Sequence, residues 1–346
     1  MTCGQGCIGW WKAAHHDANF LAEAMGSGVS LDQEQLVKLR EEVSTLKNSL
    51  TEAEAKTRQL QSLQVQEKST FVFDGQTYEK LKVIGKGASA VCYAVRRASD
   101  GKYFVVKQLQ VPLEELALKQ GFADEVKVMG RFNHPSVIAL YDSYIEGSVL
   151  HILMEFASGG TLYDRITGAA QEGTHFDEDQ ILRWFTQTMM ALNHVHDHKI
   201  LHRDVTTKNI FLTEDGNVKL GDFGISKMLS TQTHFASTVI GTPNYLSPEI
   251  WDGREYDAKS DIWALGCVLC ELCGLQKSFT QPDIPSMMAA ISNGNYNAVP
   301  AHYSPVVKNL VAAILQPNPD NRPSIHQLIN VPCPPCFLRN TVTLLP

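Results

Sequence analysis

The chain of 346 residues lacks an apolar run long enough to cross a membrane. Its longest apolar stretch, Ile262 to Leu275, is interrupted by Glu271, whereas a membrane-spanning helix needs about 18 apolar residues or more. The sequence does not open with a basic segment followed by an apolar one, as a secretion signal would. These absences predict a cytoplasmic or nuclear protein. Cysteines stay reduced there, so the eight cysteines are not expected to form a disulfide framework.

An excess of positive charge is also missing, because the formal net charge is -7 and the pI is about 5.9. Proteins that bind nucleic acid or anionic membranes through electrostatic attraction usually carry the opposite sign. We therefore expect neither nucleic acid nor an anionic membrane surface as the main partner.

The first part of the chain differs from the rest. Residues 1–30 have no clear period and are interpreted as a flexible leader. Residues 31–68 are predicted to be helical, because hydrophobic positions within 36–60 recur at alternating spacings of three and four, with no Pro or Gly between them. This repeat predicts either a short coiled coil that joins two copies of the chain or a single solvated helix.

The remainder predicts an α+β fold. After Phe71 the sequence reads as short strands, with one amphipathic helix over 114–132, and beyond Gly159-Gly160 it reads as mainly helical. The predicted strands are 71–73, 78–84, 91–97, 103–109, 137–145 and 149–156, and the predicted helices are 178–198, 259–273, 284–293 and 303–315. A β-rich part followed by a larger helical part indicates two lobes with a cleft between them.

A glycine-rich segment lies between the second and third predicted strands. It follows the pattern G-x-G-x-x-G with Ala90 in the third place. A dinucleotide site would require a helix at once, but Val91, Tyr93 and Val95 predict a strand, and the Gly-Lys-Ser/Thr of a Walker A loop is absent. A glycine loop between antiparallel strands can cover nucleotide phosphates; an ordinary hairpin turn is the alternative. The candidate nucleotide-binding residues are Ile84, Gly85, Lys86, Gly87, Ala88, Ser89, Ala90, Val91 and Cys92.

Lys107 is placed at the end of an apolar strand, about 20 residues after the glycine loop, as is the phosphate-contacting lysine of one class of nucleotide sites. Its ammonium group needs a carboxylate, for which Glu125 on the following helix is preferred, with Asp124, Glu114 and Glu115 as rivals. Further on, the backbone of Glu155 and Ala157, beside Met154, falls at the predicted lobe junction. In the same class of nucleotide sites, the backbone at this position forms hydrogen bonds to the adenine edge.

Two triplets that each contain an aspartate indicate the chemistry of the site. Asn209 lies five residues after Asp204 of His202-Arg203-Asp204. Asp222-Phe223-Gly224 begins thirteen residues after Asn209, which leaves enough chain for a β-hairpin between them. Phosphoryl transfer needs one carboxylate near the incoming hydroxyl and separate oxygen ligands for Mg²⁺. Asp204 suits the first role, and Asn209 and Asp222 suit the second.

With these motifs in place, residues 78–338 resemble a eukaryotic protein kinase domain, and within that superfamily the NIMA-related kinases. Residues 339–346 are then a tail. The resemblance is closest to a cilium-associated branch whose longer members carry a β-propeller, although no propeller repeats follow here. It is carried by the segments 200–204, 209–212, 218–227, 241–249, 259–267 and 321–323.

The resemblance implies a two-lobed serine/threonine kinase that uses ATP and Mg²⁺ on protein substrates. It implies an activation segment from Asp222 to Glu249, a buried ion pair of Glu249 with Arg322, and activating phosphorylation at Thr238, where Arg203 could bind the phosphate. Ser230, Thr231, Thr233 and Ser237 compete with Thr238. It also suggests a location at the cilium, centrosome, cytoskeleton or trafficking membranes.

One position departs from the family pattern. Serine/threonine kinases normally carry a lysine two residues after the catalytic Asp, where this chain has Thr206, and the nearest lysine is Lys208. That lysine stabilises the transferring phosphate. Either Lys208 substitutes in catalysis, or the enzyme is slow, or the domain is a scaffold recruited through its coil. Thr242 matches the pattern of serine/threonine kinases rather than that of tyrosine kinases.

Overall fold

The computed structural model describes residues 69–87, 90–111, 132–222 and 243–330, together with Gly130 and the helical positions Ser44, Thr45 and Ser49. Residues 1–69 form one unit and residues 70–346 another. The predicted leader and nearly all of the predicted coiled coil lie outside the described residues, and so does the predicted helix over 114–132 apart from Gly130 and Phe132.

A six-stranded antiparallel sheet forms its first half, in the order β1-β2-β3-β4-β6-β5. The strands are β1 (Thr70–Phe73), β2 (Gln76–Lys86), β3 (Ala90–Arg97), β4 (Tyr103–Gln110), β5 (Leu140–Glu146) and β6 (Val149–Glu155). Phe71, Phe73, Tyr78 and Phe104 are buried in a small core of this sheet. Aromatic residues are favoured in strands because they pack well on a pleated surface.

The second half is helical, apart from a two-stranded antiparallel hairpin of β7 (Ile210–Leu212) and β8 (Val218–Leu220). The helices are α1 (Leu162–Glu172), α2 (Glu178–Asp197), α3 (Pro248–Trp251), α4 (Ala258–Gly274), α5 (Ile284–Ser292), α6 (Pro305–Ile314) and α7 (Ile325–Ile329). The α4 helix is the centre of this half. It is buried from Ser260 to Cys273, and Trp263 stacks on Phe279 with ring centroids 5.8 Å apart.

The helix boundaries follow from capping residues. Thr161 accepts a hydrogen bond from the backbone N–H of Asp164, whose carboxylate accepts one from Thr161 N–H in return, and Gly173 closes α1 with a left-handed φ of 67°. Asp257 and Ser260 form the same reciprocal box at the start of α4. Such boxes satisfy backbone donors that the first helical turn leaves unpaired.

The predicted α+β fold of two lobes, with a β-rich N-terminal lobe and a helical C-terminal lobe, is confirmed. The predicted strands and helices begin and end within a few residues of those observed. Two details differ. Lys107 does not end its strand, because β4 continues to Gln110, and α1, α3 and α7 were not among the predicted helices. Among the described residues, no helix has the length and apolar character that crossing a membrane requires.

Candidate functional site

The β7–β8 hairpin brings the two proposed metal ligands together. Asn209 immediately precedes β7, and Asp222 follows β8 by two residues. Ile210 pairs with Leu220, and the backbone N–H of Gly221 donates to Asn209 O at 3.0 Å. Pairing across the hairpin therefore fixes the separation of two side chains that lie 13 positions apart in the sequence.

A glycine is required just before Asp222. A methyl group on Gly221 would lie 2.7 Å from Ile138 Cγ1, closer than real side chains essentially ever approach, and 3.2 Å from Phe211 Cε2, which is a tight contact. The backbone of Asp222 is in the left-handed region, with φ of 59°. The close packing of the preceding residue and this backbone conformation together set where the carboxylate of Asp222 lies.

Asp204 is joined to Asn209 directly. The Asn209 side-chain nitrogen donates to Asp204 Oδ2 at 2.7 Å and to its backbone oxygen at 2.9 Å. The amide nitrogen is thus turned toward Asp204, and the amide oxygen is the group left to bind a cation. This single residue links the proposed proton acceptor to the proposed metal ligands.

A buried carboxylate holds the loop that carries Asp204. Asp261 on α4 accepts hydrogen bonds from the backbone N–H groups of His202 and Arg203 at 2.9 and 3.0 Å, and from His196 Nε2 at 2.8 Å. Arg203 has a positive φ of 64°, a conformation that costs free energy for a non-glycine residue. Although burial opposes ionisation, the His196 hydrogen bond and charge keep the pKa of Asp261 below its ordinary value.

His202 fixes the same loop from its other side. Its ring is fully buried, and burial lowers its pKa, so the imidazole is neutral. Its Nδ1 accepts from the backbone N–H of Asp204 at 3.3 Å, and its Nε2 is 3.2 Å from Gly221 O. The neutral tautomer with its proton on Nε2 satisfies both contacts and ties the loop to the residue before Asp222.

Lys107 reaches this cluster from the sheet. It is buried in the middle of β4, and its ammonium group donates to Asp222 Oδ1. Burial opposes the charge, but the Asp222 carboxylate outweighs it and raises the pKa of Lys107. The preferred partner, Glu125, lies outside the described residues, so that predicted pairing stays a prediction.

The glycine segment is a hairpin between β2 and β3, as predicted. Gly85 pairs with Cys92 and Lys86 with Val91, and Gly87 N–H donates to Ala90 O at 2.8 Å. The tip residues Ala88 and Ser89 lie outside the described residues.

Cys92 on β3 lies directly opposite Lys107 on β4. The glycine hairpin therefore adjoins Lys107. Burial raises the pKa of the Cys92 thiol to about 11. The thiol is therefore uncharged at neutral pH.

Glu155 ends β6 at the junction between the lobes, and Ala157 lies two residues beyond it. The Glu155 side chain accepts from Ala139 N–H at 3.0 Å and pairs with Lys219 Nζ of β8 at 2.7 Å. The structure therefore adds a role for this side chain that the sequence did not reveal, namely to connect the six-stranded sheet to the β7–β8 hairpin.

Thr206 and Lys208 occupy different environments. Thr206 is buried and Lys208 is exposed. The Lys208 ammonium lies 4.8 Å from the ring centre of Tyr163 on α1. The structure thus places this ammonium against Tyr163.

The predicted pairing of Glu249 with Arg322 is confirmed. Both side chains are buried, and two parallel hydrogen bonds of 2.6 and 2.7 Å join them. The arginine outweighs the effect of burial and lowers the pKa of Glu249. Thr238 and Thr242 lie outside the described residues.

Sequence reasoning missed Asp261, His196 and Lys219 as residues that position the site. Asp261 and Glu271 are the only two acids of the largely apolar α4, and this was a usable signal for Asp261, because carboxylates are seldom fully buried without partners. No comparable signal marked Lys219, since its partner Glu155 is 64 positions away.

The donor set suits a hard divalent cation. Mg²⁺ prefers carboxylate and carbonyl oxygens, and the Asp222 carboxylate and the Asn209 amide oxygen offer both. The buried Lys107 ammonium adds a fixed positive charge for phosphate oxygens. With Asp204, the proposed proton acceptor, bonded to Asn209, the fold and these side chains are those of a protein kinase domain.

Comparison with known proteins agrees. The family described as protein kinase domain matches residues 78–333. The chain is 42% identical to serine/threonine-protein kinase Nek1 of Mus musculus over 254 residues, covering 73% of this chain and 21% of Nek1. It is 38% identical to human Nek2, covering 74% of this chain and 59% of Nek2. It is 39% identical to nekl-2 of Caenorhabditis elegans, covering 74% of this chain and 73% of that protein.

The chain belongs to the protein kinase family, among its NIMA-related serine/threonine members. It spans about a fifth of the length of Nek1 and less than two fifths of human Nek5.

Proposed function

We propose that this chain is an active serine/threonine kinase that transfers the γ-phosphoryl group of MgATP to hydroxyl groups of protein substrates. One observation carries the proposal. Lys107, Asp222, Asn209 and Asp204 are drawn together from distant parts of the sequence through the Lys107–Asp222 pair, the Gly221–Asn209 backbone bond and the Asn209–Asp204 bonds.

Each residue then has a distinct task. Asp204 orients the substrate hydroxyl and accepts its proton as the new bond to phosphorus forms. Lys107 holds nucleotide phosphates, and the β2–β3 hairpin covers them. The backbone at Glu155 and Ala157 binds the adenine edge. Such a site acts mainly by positioning and electrostatic stabilisation.

Asn209 and Asp222 would hold Mg²⁺, which supplies positive charge to the phosphates when bound. Their oxygen donors fit this ion better than they fit a softer metal, because neither sulfur nor imidazole belongs to the pair. The direct bond between Lys107 and Asp222 supports this role, because it pairs the carboxylate with a positive charge.

The test is phosphate transfer from radiolabelled ATP to serine, threonine and tyrosine peptides, comparing the wild type with Asp222→Ala. We expect label on serine and threonine that the variant loses. Label no higher than in the variant, from folded protein phosphorylated at Thr238, would sink the enzyme proposal.

We further propose that phosphorylation of Thr238 activates the enzyme, because a phosphate there could bind arginine and order the segment between Asp222 and Glu249. Thr238→Ala should then lower turnover while Thr233→Ala does not. Equal turnover of both variants and the wild type would refute Thr238 as the switch.

Dimerisation through 36–60 and a location in the cytoplasm, at cilia, centrosomes, cytoskeleton or trafficking membranes are also proposals. They rest on the heptad pattern and the family resemblance. Deleting residues 1–68 should shift the mass in solution to that of one chain and alter the distribution in cells. If the protein that lacks residues 1–68 associates to the same extent as the full chain, the coil is not the dimer contact.

A scaffold of low activity is the second candidate, favoured by Thr206 in place of the usual lysine. Thr206→Lys separates the candidates, because it adds a cation near the transferring phosphate. For an active kinase that manages without this lysine, the variant changes kcat by less than about tenfold. A rise of about a hundredfold or more would show that the native site is impaired and would support the scaffold.

A further inference from the structure

We propose that Lys208 selects substrates that carry an acidic or phosphorylated side chain close to the residue that is phosphorylated. The inference rests on the proposed kinase function and adds the substrate class. It begins from the position of Lys208, which immediately precedes Asn209 in the loop that also carries Asp204. A peptide that offers its hydroxyl to Asp204 must pass this loop.

The side chain of Lys208 is held in place although it is exposed. Its ammonium lies 4.8 Å from the Tyr163 ring centre, a cation–π contact. Tyr163 is itself attached to the loop, because its backbone N–H donates to Thr207 O at 3.0 Å. The charge is therefore presented at a defined place beside the loop.

A second cation reinforces the first. Lys277 Nζ lies 5.7 Å from the same Tyr163 ring and 4.8 Å from the Tyr245 ring. It pairs with the buried Glu271 at 2.7 Å, so it neutralises a carboxylate that would otherwise repel acidic peptides. Among the described residues, no carboxylate forms an ion pair with Lys208.

The sequence that follows Asp222 is poor in charged residues. Residues 223–242 contain no Asp or Glu, and Lys227 is their one Lys or Arg. Tyr245, where the described chain resumes after this segment, contacts Thr207 Oγ1 at 3.0 Å. Tyr245 and the loop thus meet next to Lys208, where Lys208 and Lys277 both carry positive charge. Acidic and phosphorylated side chains are the groups this chemistry attracts.

The test uses the full chain and peptides that share one serine as the phosphate acceptor. A neutral residue, glutamate, phosphoserine or arginine is placed in turn at each of the three positions on either side. We expect kcat/KM to exceed that of the neutral peptide by about threefold for glutamate and about tenfold for phosphoserine at the preferred position, as for exposed charge pairs. The preference should weaken at high ionic strength.

Lys208→Gln should bring the ratio of acidic to neutral peptide close to one, and Lys208→Glu should reverse it in favour of arginine. Lys102→Gln is the matched control, since Lys102 is an exposed lysine at the turn between β3 and β4. It should keep the wild-type ratio. If Lys208→Gln instead lowers kcat for all peptides equally and leaves the ratio unchanged, Lys208 acts in catalysis and the proposal is wrong.

Peptide affinity, measured by fluorescence anisotropy with Mg²⁺ and a nonhydrolysable ATP analogue, separates this inference from the proposed function. A preference for acidic peptides that Lys208→Gln removes, in a protein without phosphate transfer, would overturn the kinase proposal and keep the substrate class. Binding that does not respond to peptide charge would overturn the inference, whether or not transfer occurs.

Discussion

At the level of single residues, Asp261 holds the catalytic loop through main-chain hydrogen bonds. Its carboxylate is fully buried, which is costly unless every oxygen is well paired. Its pairing with the backbone of His202 and Arg203 compensates for burial and stabilises the left-handed backbone at Arg203. The position of Asp204, the next residue, follows from this anchor.

We predict that Asp261→Asn lowers the free energy of unfolding by about 3 kcal/mol, because the amide nitrogen cannot accept one of the two backbone hydrogen bonds and leaves a buried donor unpaired. Turnover should fall at least tenfold as Asp204 shifts. Urea denaturation and steady-state kinetics measure the two effects.

Asp257→Asn is the matched control, because Asp257 caps the same helix and asparagine also caps well. It should change the stability by less than about 1 kcal/mol and leave turnover unchanged. Similar losses for both variants would show that Asp261 merely supports α4.

Asp204, Asn209, Asp222 and Lys107 could be predicted from the sequence, because each belongs to a short motif with a fixed spacing of residues. The structure brings these four together. Their supports could not be named in the same way, because Asp261 acts on a loop nearly 60 positions away. A contact between distant segments leaves no local pattern when one sequence is read alone.

At the level of secondary-structure elements, the β7–β8 hairpin sets the geometry of the site. Each strand has only three residues, so its position depends on packing against Ile138 and the loop before β5. Ile138 N–H donates to Leu220 O at 2.8 Å. Gly221 then passes so close to Ile138 that a side chain has no room.

We predict that Gly221→Ala displaces the end of β8 and lowers kcat/KM about tenfold or more, since a small misplacement of a reacting group is costly. Overpacking should also reduce stability by about 1–3 kcal/mol. Kinetics and thermal unfolding provide the measurements.

The double variant with Ile138→Ala tests the cause. Removing the Ile138 side chain relieves the contact, so the two substitutions together should cost less than the sum of their separate effects. Strict additivity would show that the loss in Gly221→Ala does not arise from this contact.

Helices were predicted most clearly where the hydrophobic pattern extended over many residues. The α2 helix covers 20 residues and the α4 helix 17, which is enough for a clear pattern. The α1 helix has 11 residues with only three buried, and contains Gly168, so its apolar pattern is faint. Its capping box, Thr161 with Asp164, was the signal available.

At the level of the whole molecule, charged pairs that are buried or half-buried connect distant parts. Lys219 joins the hairpin to the end of β6 through Glu155, and Arg322 joins the turn before α7 to Glu249 on α3. His134 lies between the two halves, where its Nδ1 accepts from Ser136 N–H at 3.1 Å and its ring is 5.2 Å from that of His194.

Burial lowers the pKa of His134 to about 4, against about 6.5 in an unfolded chain. Between these values the unfolded chain binds a proton that the folded one does not. The stability is therefore fully present above about pH 6.5 and falls as the pH drops toward 4. His134→Asn, which can still accept from Ser136, should flatten this fall in urea denaturation curves.

His326→Asn, at an exposed histidine, is the control for removing one histidine. If it flattens the curve as much as His134→Asn does, the acid sensitivity does not come from the burial of His134.

The most direct test of the central claim compares MgATP binding with phosphate transfer in the wild type and Asp204→Asn. The substituted side chain keeps an oxygen for the Asn209 hydrogen bond but is a poor proton acceptor. We predict nearly equal MgATP affinity and a transfer rate that falls by about a hundredfold or more. Equal transfer by both proteins, or MgATP binding without transfer by the wild type, would contradict the account.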